Sequence, residues 1–282
     1  MKIFDWLIGR TSKTSPARSD FETLLKAKAS KAIHLAHGHS RQTRSKLGGM
    51  PDIDPSFEWP EWNGSPMSFL GQIDLSSLPR IPGMEAMPPV GMLYFFYDQE
   101  QGTWGFDPKD LGSWKVYYLE NTDSLRPLDP PPGLPSESTF REVPLLPGIR
   151  DTYPSFERLE PNLSGDLDGA YEIEDRLREL SRPPGPEHQI GGFPNPIQGD
   201  SMEKEAQLVS NGLYCGDPSG YNDPRAQDLS SGSKEWLLLL QVDTDEKARM
   251  MWGDAGMLYF WIRRTDLERR EFSKVWMILQ CG

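Results

Sequence analysis

Apolar positions along the chain fall into short blocks with two different periods. From Asp20 onward, Phe21, Leu24, Leu25, Ala29, Ala32 and Leu35 recur at helical spacing, with Asp20 placed to cap that helix and Gly38 to end it. Further helices are expected from Tyr171 to Leu180, stopped by Pro183 and Pro184, and from Asp200 towards Val209, where Asp200 and Glu203 have capping-box spacing. Elsewhere the apolar runs are short and bounded by Gly and Pro. Gly91-Met92-Leu93-Tyr94-Phe95-Phe96 and Gly256-Met257-Leu258-Tyr259-Phe260-Trp261 are apolar on both strand faces. Met92, Tyr94 and Phe96 point one way and Leu93, Phe95 and Tyr97 the other, so each run needs cover on both sides and belongs in the middle of a sheet. Residues 127–135 are too rich in proline for a helix or a central strand and read as a connector.

Four blocks recur in the same order. Gly48-Gly49-Met50-Pro51 matches Gly191-Gly192-Phe193-Pro194. Phe69-Leu70-Gly71-Gln72-Ile73-Asp74 matches Leu238-Leu239-Leu240-Gln241-Val242-Asp243. The two Gly-Met-Leu-Tyr-Phe runs match each other, and Lys115-Val116-Tyr117-Tyr118-Leu119 matches Lys274-Val275-Trp276-Met277-Ile278. Constant order with variable gaps is the signature of strands joined by loops, and it points to a tandem duplication. The fold class expected is α+β: two duplicated, mostly antiparallel β-rich halves about a pseudo-two-fold axis, with a few peripheral helices. The boundaries read as 1–44, an N-terminal amphipathic helix, tether and helix; 45–120, the first repeat; 121–187, a Pro-rich connector with one helix; and 188–282, the second repeat.

Charge changes the functional picture. The chain has 30 basic and 42 acidic residues, a net −12, which argues against nucleic-acid binding and fits a cationic protein, peptide or small molecule as partner. Two cysteines, Cys215 and Cys281, cannot form a disulfide framework, which fits a reducing, cytoplasmic setting. The longest aliphatic run is Leu237 to Leu240, far short of a membrane span.

Gln72 and Asp74, and Gln241 and Asp243, lie two apart and share a strand face. The structural reading has each glutamine holding the backbone of its own Gly-Gly-x-Pro loop; the functional reading puts both at the bottom of a cleft between halves. The Gly-Gly loops are tight turns first and anion nests second. His34, His37 and His39 are weak zinc candidates, with a solvated helix end as the competing reading. His188 and Cys215 could pair as base and nucleophile only if the fold brings them together. Trp252 beside Asp254 suits a cationic ligand, against a plain turn in which Asp254 bonds its own backbone. Trp59, Trp62 and Trp104 sit in loop-like sequence where they could line a groove.

The blocks already quoted, with Glu58-Trp59-Pro60, His188-Gln189-Ile190 before the second Gly-Gly loop and Trp252-Gly253-Asp254-Ala255 before the second strand run, resemble the YwqG-like family of bacterial proteins. The resemblance covers residues 45–282. It implies an intracellular α+β domain without established activity, catalytic residue or cofactor, and relatives near toxin–immunity or other conflict systems. No catalytic constellation or cofactor motif is evident. The reading favoured is therefore non-enzymatic recognition between the halves, with Gln72, Asp74, His188, Gln241, Trp252 and Asp254 as candidate ligand residues. The rival is a small enzyme using Asp254 and His188.

Overall fold

A computed structural model describes residues 23, 25–39, 43–159, 175–176, 178–179 and 182–282. The first ten residues, the 11–19 tether and most of the expected helix at Tyr171 to Leu180 lie outside the described residues. Fourteen strands are described: β1 (Ser30–His37), β2 (Lys46–Leu47), β3 (Asp52–Ile53), β4 (Glu61–Trp62), β5 (Ser65–Pro66), β6 (Ser68–Asp74), β7 (Met92–Tyr97), β8 (Trp114–Leu119), β9 (Arg126–Pro127), β10 (Val143–Thr152), β11 (Gln189–Ile190), β12 (Trp236–Asp243), β13 (Met257–Arg263) and β14 (Trp276–Gln280). Ten form one sheet in the order β14-β13-β12-β11-β1-β10-β2-β6-β7-β8, and every pairing in it is antiparallel. The longest described helix is α1 (Met202–Val209). Among the described residues no helix is long and apolar enough to cross a membrane.

The two halves are parts of one continuous sheet. The seam is β1 paired with β10, in register from Ser30↔Thr152 to His37↔Leu145. This corrects the expected helix beyond Ala29. Ala32 to Leu35 form a strand, because pairing on both sides with β10 and β11 outweighs the helical preference of an Ala- and Lys-rich segment. It also places His34 and His37 on opposite strand faces instead of one helix face. The central strands thus come from segments that the sequence assigned to the N-terminal arm and the connector.

The sheet curls so that its ends meet. Phe95 of β7 and Phe260 of β13 have ring centroids 5.1 Å apart, and Trp114 of β8 and Trp276 of β14 are at 5.0 Å. The Trp114 indole N–H donates to the Val275 carbonyl at 2.8 Å, and the Trp276 indole N–H to the Gly105 carbonyl at 2.8 Å. β7 is buried along its whole length. Met92, Tyr94 and Phe96 enter a small cluster with Ile53, Met67 and Phe69, whereas Leu93, Phe95 and Tyr97 enter the main core. The alternation read from the sequence is the one observed. Trp59 and Trp62 pack on the small cluster.

The two ends of the sheet repeat each other in detail. Pairing of β6 with β7 skips Leu70, and pairing of β12 with β13 skips Leu239, so both carry a bulge at the matching leucine. Gln72 stands opposite Tyr94 and Gln241 opposite Tyr259. Gln72 Oε1 accepts from the Asp52 amide at 2.8 Å, and its Nε2 donates to the Arg44 carbonyl at 2.9 Å. Gln241 Oε1 accepts from the Asn195 amide at 2.9 Å, and its Nε2 donates to the Glu187 carbonyl at 2.7 Å. Tyr94 and Tyr259 donate to the carbonyls of Asp52 and Asn195, each at 2.6 Å. In each half a buried glutamine and a tyrosine thus grip the chain on either side of a Gly-Gly loop whose glycines all have positive φ.

Only the fourth block slips. Tyr117 pairs with Tyr94, but Ile278, not Trp276, pairs with Tyr259. A shift of two residues keeps every side chain on its face, so the sequence pattern cannot detect it.

Gln72→Leu and Gln241→Leu should each destabilise the protein by about 2–4 kcal/mol, since each leaves a backbone N–H and a carbonyl without partners beneath the sheet. Urea unfolding measures both, and the two losses should agree to within about 1 kcal/mol.

Candidate functional site

A groove of about 540 Å³ forms where the curled ends of the sheet meet. One wall is the loop between β7 and β8, carrying Trp104, Phe106, Asp107 and Asp110; the other carries Glu205 of α1, Tyr214, Cys215 and Tyr221, with Gln280 of β14 also lining it. The loop is pinned to the β14 edge: the Leu279 amide donates to the Trp104 carbonyl at 3.0 Å, and the Cys215 amide to the Phe106 carbonyl at 2.8 Å. Gly105, at φ +82°, makes this approach possible, because a Cβ there would run into the Met277 carbonyl oxygen.

Groove chemistry is acidic and aromatic. Trp104 and Tyr214 are among the few large apolar side chains left exposed among the described residues. Glu205 Oε1 accepts from the Tyr221 hydroxyl at 3.1 Å, whereas its Oε2 is buried without a hydrogen-bond partner. Burial pushes the Glu205 carboxyl above its ordinary range, outweighing the bonds from Tyr221 and Ser201, and burial likewise raises Asp110. Burial first, and the Glu205 charge second, push the Cys215 thiol up to about 11, so this cysteine is a poor nucleophile. Lys204 lies 5.7 Å from the centre of the Tyr221 ring and is a cation already present at this edge.

A second cluster joins β1 to the second half. His37 Nε2 lies 2.7 Å and His188 Nε2 3.1 Å from the same oxygen, Oδ2 of Asp245. Asp245 Oδ1 accepts from the amides of Lys247 and Ala248 at 2.8 and 3.2 Å. Burial alone would raise the Asp245 carboxyl; the bonds from His188, His37 and the Ala248 amide more than reverse this and hold it well below the usual carboxylate range.

These three residues have the composition of a metal site. Their hydrogen bonding contradicts that use. His188 Nδ1 accepts from the Asp243 amide at 3.0 Å, so in the neutral ring the proton sits on Nε2 and points at Asp245. That tautomer offers no lone pair to a metal, whereas a ligating histidine donates from its other nitrogen.

The corresponding place in the first half is filled differently. There the Asp74 amide donates to the Ser45 hydroxyl at 2.9 Å, and Ser76 stands where the second half has Asp245. The His–Asp–His cluster is therefore not something the sheet itself requires.

The remaining candidates are dispersed. Asp74 caps a 3-10 turn by accepting from the Ser76 amide. Trp252 is fully buried, its rings against Tyr97 and Phe140 and its indole N–H donating to the Asp243 carbonyl at 3.2 Å. Asp254 is exposed in the following turn, where its backbone carbonyl accepts from the Gly282 amide at 3.0 Å. His34 Nε2 donates to the Pro186 carbonyl at 3.3 Å, and His39 is exposed, so only His37 of the histidine stretch joins the cluster. Cys215 lies against Glu205 and Tyr221, and His188 against Asp245 and His37, so the two do not form a dyad. Asp200 and Glu203 do not form a capping box. They both grip the Arg158 guanidinium, with Nε to Asp200 at 2.6 Å and Nη1 to Glu203 at 2.8 Å.

Sequence reasoning missed the groove's second wall. Glu205, Tyr214 and Tyr221 carry no motif, and of the three tryptophans expected to line a groove only Trp104 does so here, Trp59 and Trp62 packing on the small cluster. The model of a family described as Domain of unknown function (DUF1963) matches residues 45–281. No curated protein matches the chain.

Proposed function

The chain belongs to the DUF1963 family, and from that premise we propose that it is a non-enzymatic recognition protein which takes a cationic group into the groove between its two halves. The observation that carries this reading is Glu205: a carboxylate with one buried, unpartnered oxygen, facing a groove walled by Trp104, Tyr214 and Tyr221. A lysine or arginine side chain of a protein or peptide would supply the missing hydrogen bond and stack on the rings. The net charge of −12 favours the approach of such a partner.

The reading includes a tandem duplication that left the two halves related by a pseudo-two-fold axis, a YwqG-like identity, and a cytoplasmic setting among toxin–immunity or other conflict systems. The matched bulges, glutamines and tyrosines support the duplication, and the motifs quoted above support the identity.

Titration with a tetralysine peptide at physiological salt, followed by calorimetry, tests the groove. Saturable binding should weaken at least tenfold in Glu205→Gln and in Tyr214→Ala, and stay unchanged in Glu246→Gln, an exposed carboxylate elsewhere. Equal weakening in Glu246→Gln, or no saturable binding by the wild type, overturns the reading. The raised Glu205 carboxyl adds a sign: a cation selects its ionised form, so affinity should fall as the pH is lowered through the raised carboxylate range.

A further inference from the structure

The groove between the halves is lined by more rings than a simple cation site requires. Trp104 and Phe106 come from the loop between β7 and β8, and Tyr214 and Tyr221 from the segment after α1. Phe106 and Tyr221 are half-buried against the main core, whereas Trp104 and Tyr214 are exposed. The Cys215 amide ties the two segments together by donating to the Phe106 carbonyl at 2.8 Å.

Tyr214, though exposed, has a prepared seat. Its ring lies against Gly216, where an added Cβ would stand 2.2 Å from the hydroxyl oxygen and 2.5 Å from Cζ. Its backbone lies as closely against Gly220, where a Cβ would come within 2.0 Å of the Tyr214 carbonyl oxygen. Two glycines thus leave the space in which this residue packs.

Against the rings stands one idle acceptor. Among the described residues lining the groove, Glu205 Oε2 is the buried side-chain polar atom without a hydrogen-bond partner, whereas Oε1 accepts from Tyr221. An ammonium with three N–H groups would satisfy that oxygen with one and turn the others towards the rings, losing their bonds to water. Lys204 is a bare ammonium already at this edge. It lies half-exposed, 5.7 Å from the centre of the Tyr221 ring, and Glu205 Oε2 stays unpartnered. Methyl groups in place of two N–H bonds remove the loss. They pack on aromatic faces, keep the positive charge and leave a single N–H for the single oxygen.

We propose that the groove selects a dimethylated lysine side chain of a protein or peptide, its one N–H on Glu205 Oε2 and its methyl groups against the rings of Trp104, Phe106, Tyr214 and Tyr221. This rests on the reading of the groove as a cation site and names the cation. At about 540 Å³ the groove is far larger than the head group, so the methylene stem and the backbone that carries it fit as well.

Calorimetric titration with one blocked, otherwise uncharged pentapeptide, its central lysine unmodified, dimethylated or trimethylated, tests this. The dimethyl form should bind at least tenfold tighter than the unmodified form and at least threefold tighter than the trimethyl form, which has no N–H. Glu205→Ala should erase the preference for dimethyl over trimethyl. Gly216→Ala should displace the Tyr214 ring and weaken dimethyl binding at least fivefold while leaving the thermal midpoint nearly unchanged, since the atoms it meets are the far end of one side chain. A dimethyl form no tighter than the unmodified or the trimethyl one, or unchanged binding in Gly216→Ala, overturns the proposal and leaves the groove a cation site. If none of the three peptides binds saturably, the cation reading falls with it. Dimethylammonium chloride binding as tightly as the dimethyl peptide also overturns the proposal, since the ligand would then be a small amine.

Discussion

Replacing Asp245 with asparagine should cost about 3–5 kcal/mol of stability at pH 7. The carboxylate is almost wholly enclosed and accepts from two imidazoles and two backbone amides at once. An asparagine keeps one acceptor oxygen and turns an NH₂ towards the backbone amides or the His188 N–H, which are themselves donors. The pH profile separates this from an ordinary packing loss. The folded Asp245 carboxyl lies below its ordinary value, so its contribution is complete above about pH 4 and disappears as the pH falls below that range. His34 acts in the same direction at higher pH. Burial disfavours its charged form, so stability should start to fall once the pH drops below about 6.5, as unfolded chains take up a proton the folded one resists. Thermal melts from pH 3 to pH 8 should therefore show an acid limb in two stages. Asp245→Asn should flatten the lower stage and keep the upper one. A variant that loses both stages, or neither, would mean that Asp245 does not govern the acid limb.

Gly105→Ala is expected to cost about 3 kcal/mol or more and to abolish ligand capture in the groove. The backbone at this position is left-handed, and the added methyl would meet the Met277 carbonyl. To relieve the collision the loop must lift from β14, breaking the bonds between the Leu279 amide and Trp104 and between the Trp276 indole and Gly105. Trp104 and Phe106, on either side of the glycine, would leave the groove wall with it. Gly133→Ala is the control. Its φ of +108° is as unfavourable for alanine, yet nothing lies within 4 Å of the added carbon, so only the backbone strain, about 1–2 kcal/mol, should appear. If the two variants melt alike, the close approach of the loop to β14 is not what holds the groove together.

Asymmetry between the halves is informative about where function resides. Gln72 and Gln241, Tyr94 and Tyr259, and the bulges at Leu70 and Leu239 are spent on the same structural task. The residues that differ are Ser45 against His188, Ser76 against Asp245, and Lys46 against Gln189 beside Arg150.

Period and repetition alone determined a good deal of this protein. The two Gly-Met-Leu-Tyr-Phe strands, their double-sided burial, and the glutamines that hold the Gly-Gly loops follow from alternation and from the needs of a buried amide, both of which are local. What only the tertiary structure decided depends on distant partners. Residues 30–37 became a central strand because β10 and β11 lie on either side, and the register of β14 is invisible to a pattern of period two. His37 met Asp245, 208 residues away, and Glu205 was left with an idle oxygen, because the curled sheet brought together segments far apart in the chain. Local spacing encodes which face a side chain takes. It carries no information about which remote group will stand opposite, and recognition chemistry is made of those encounters.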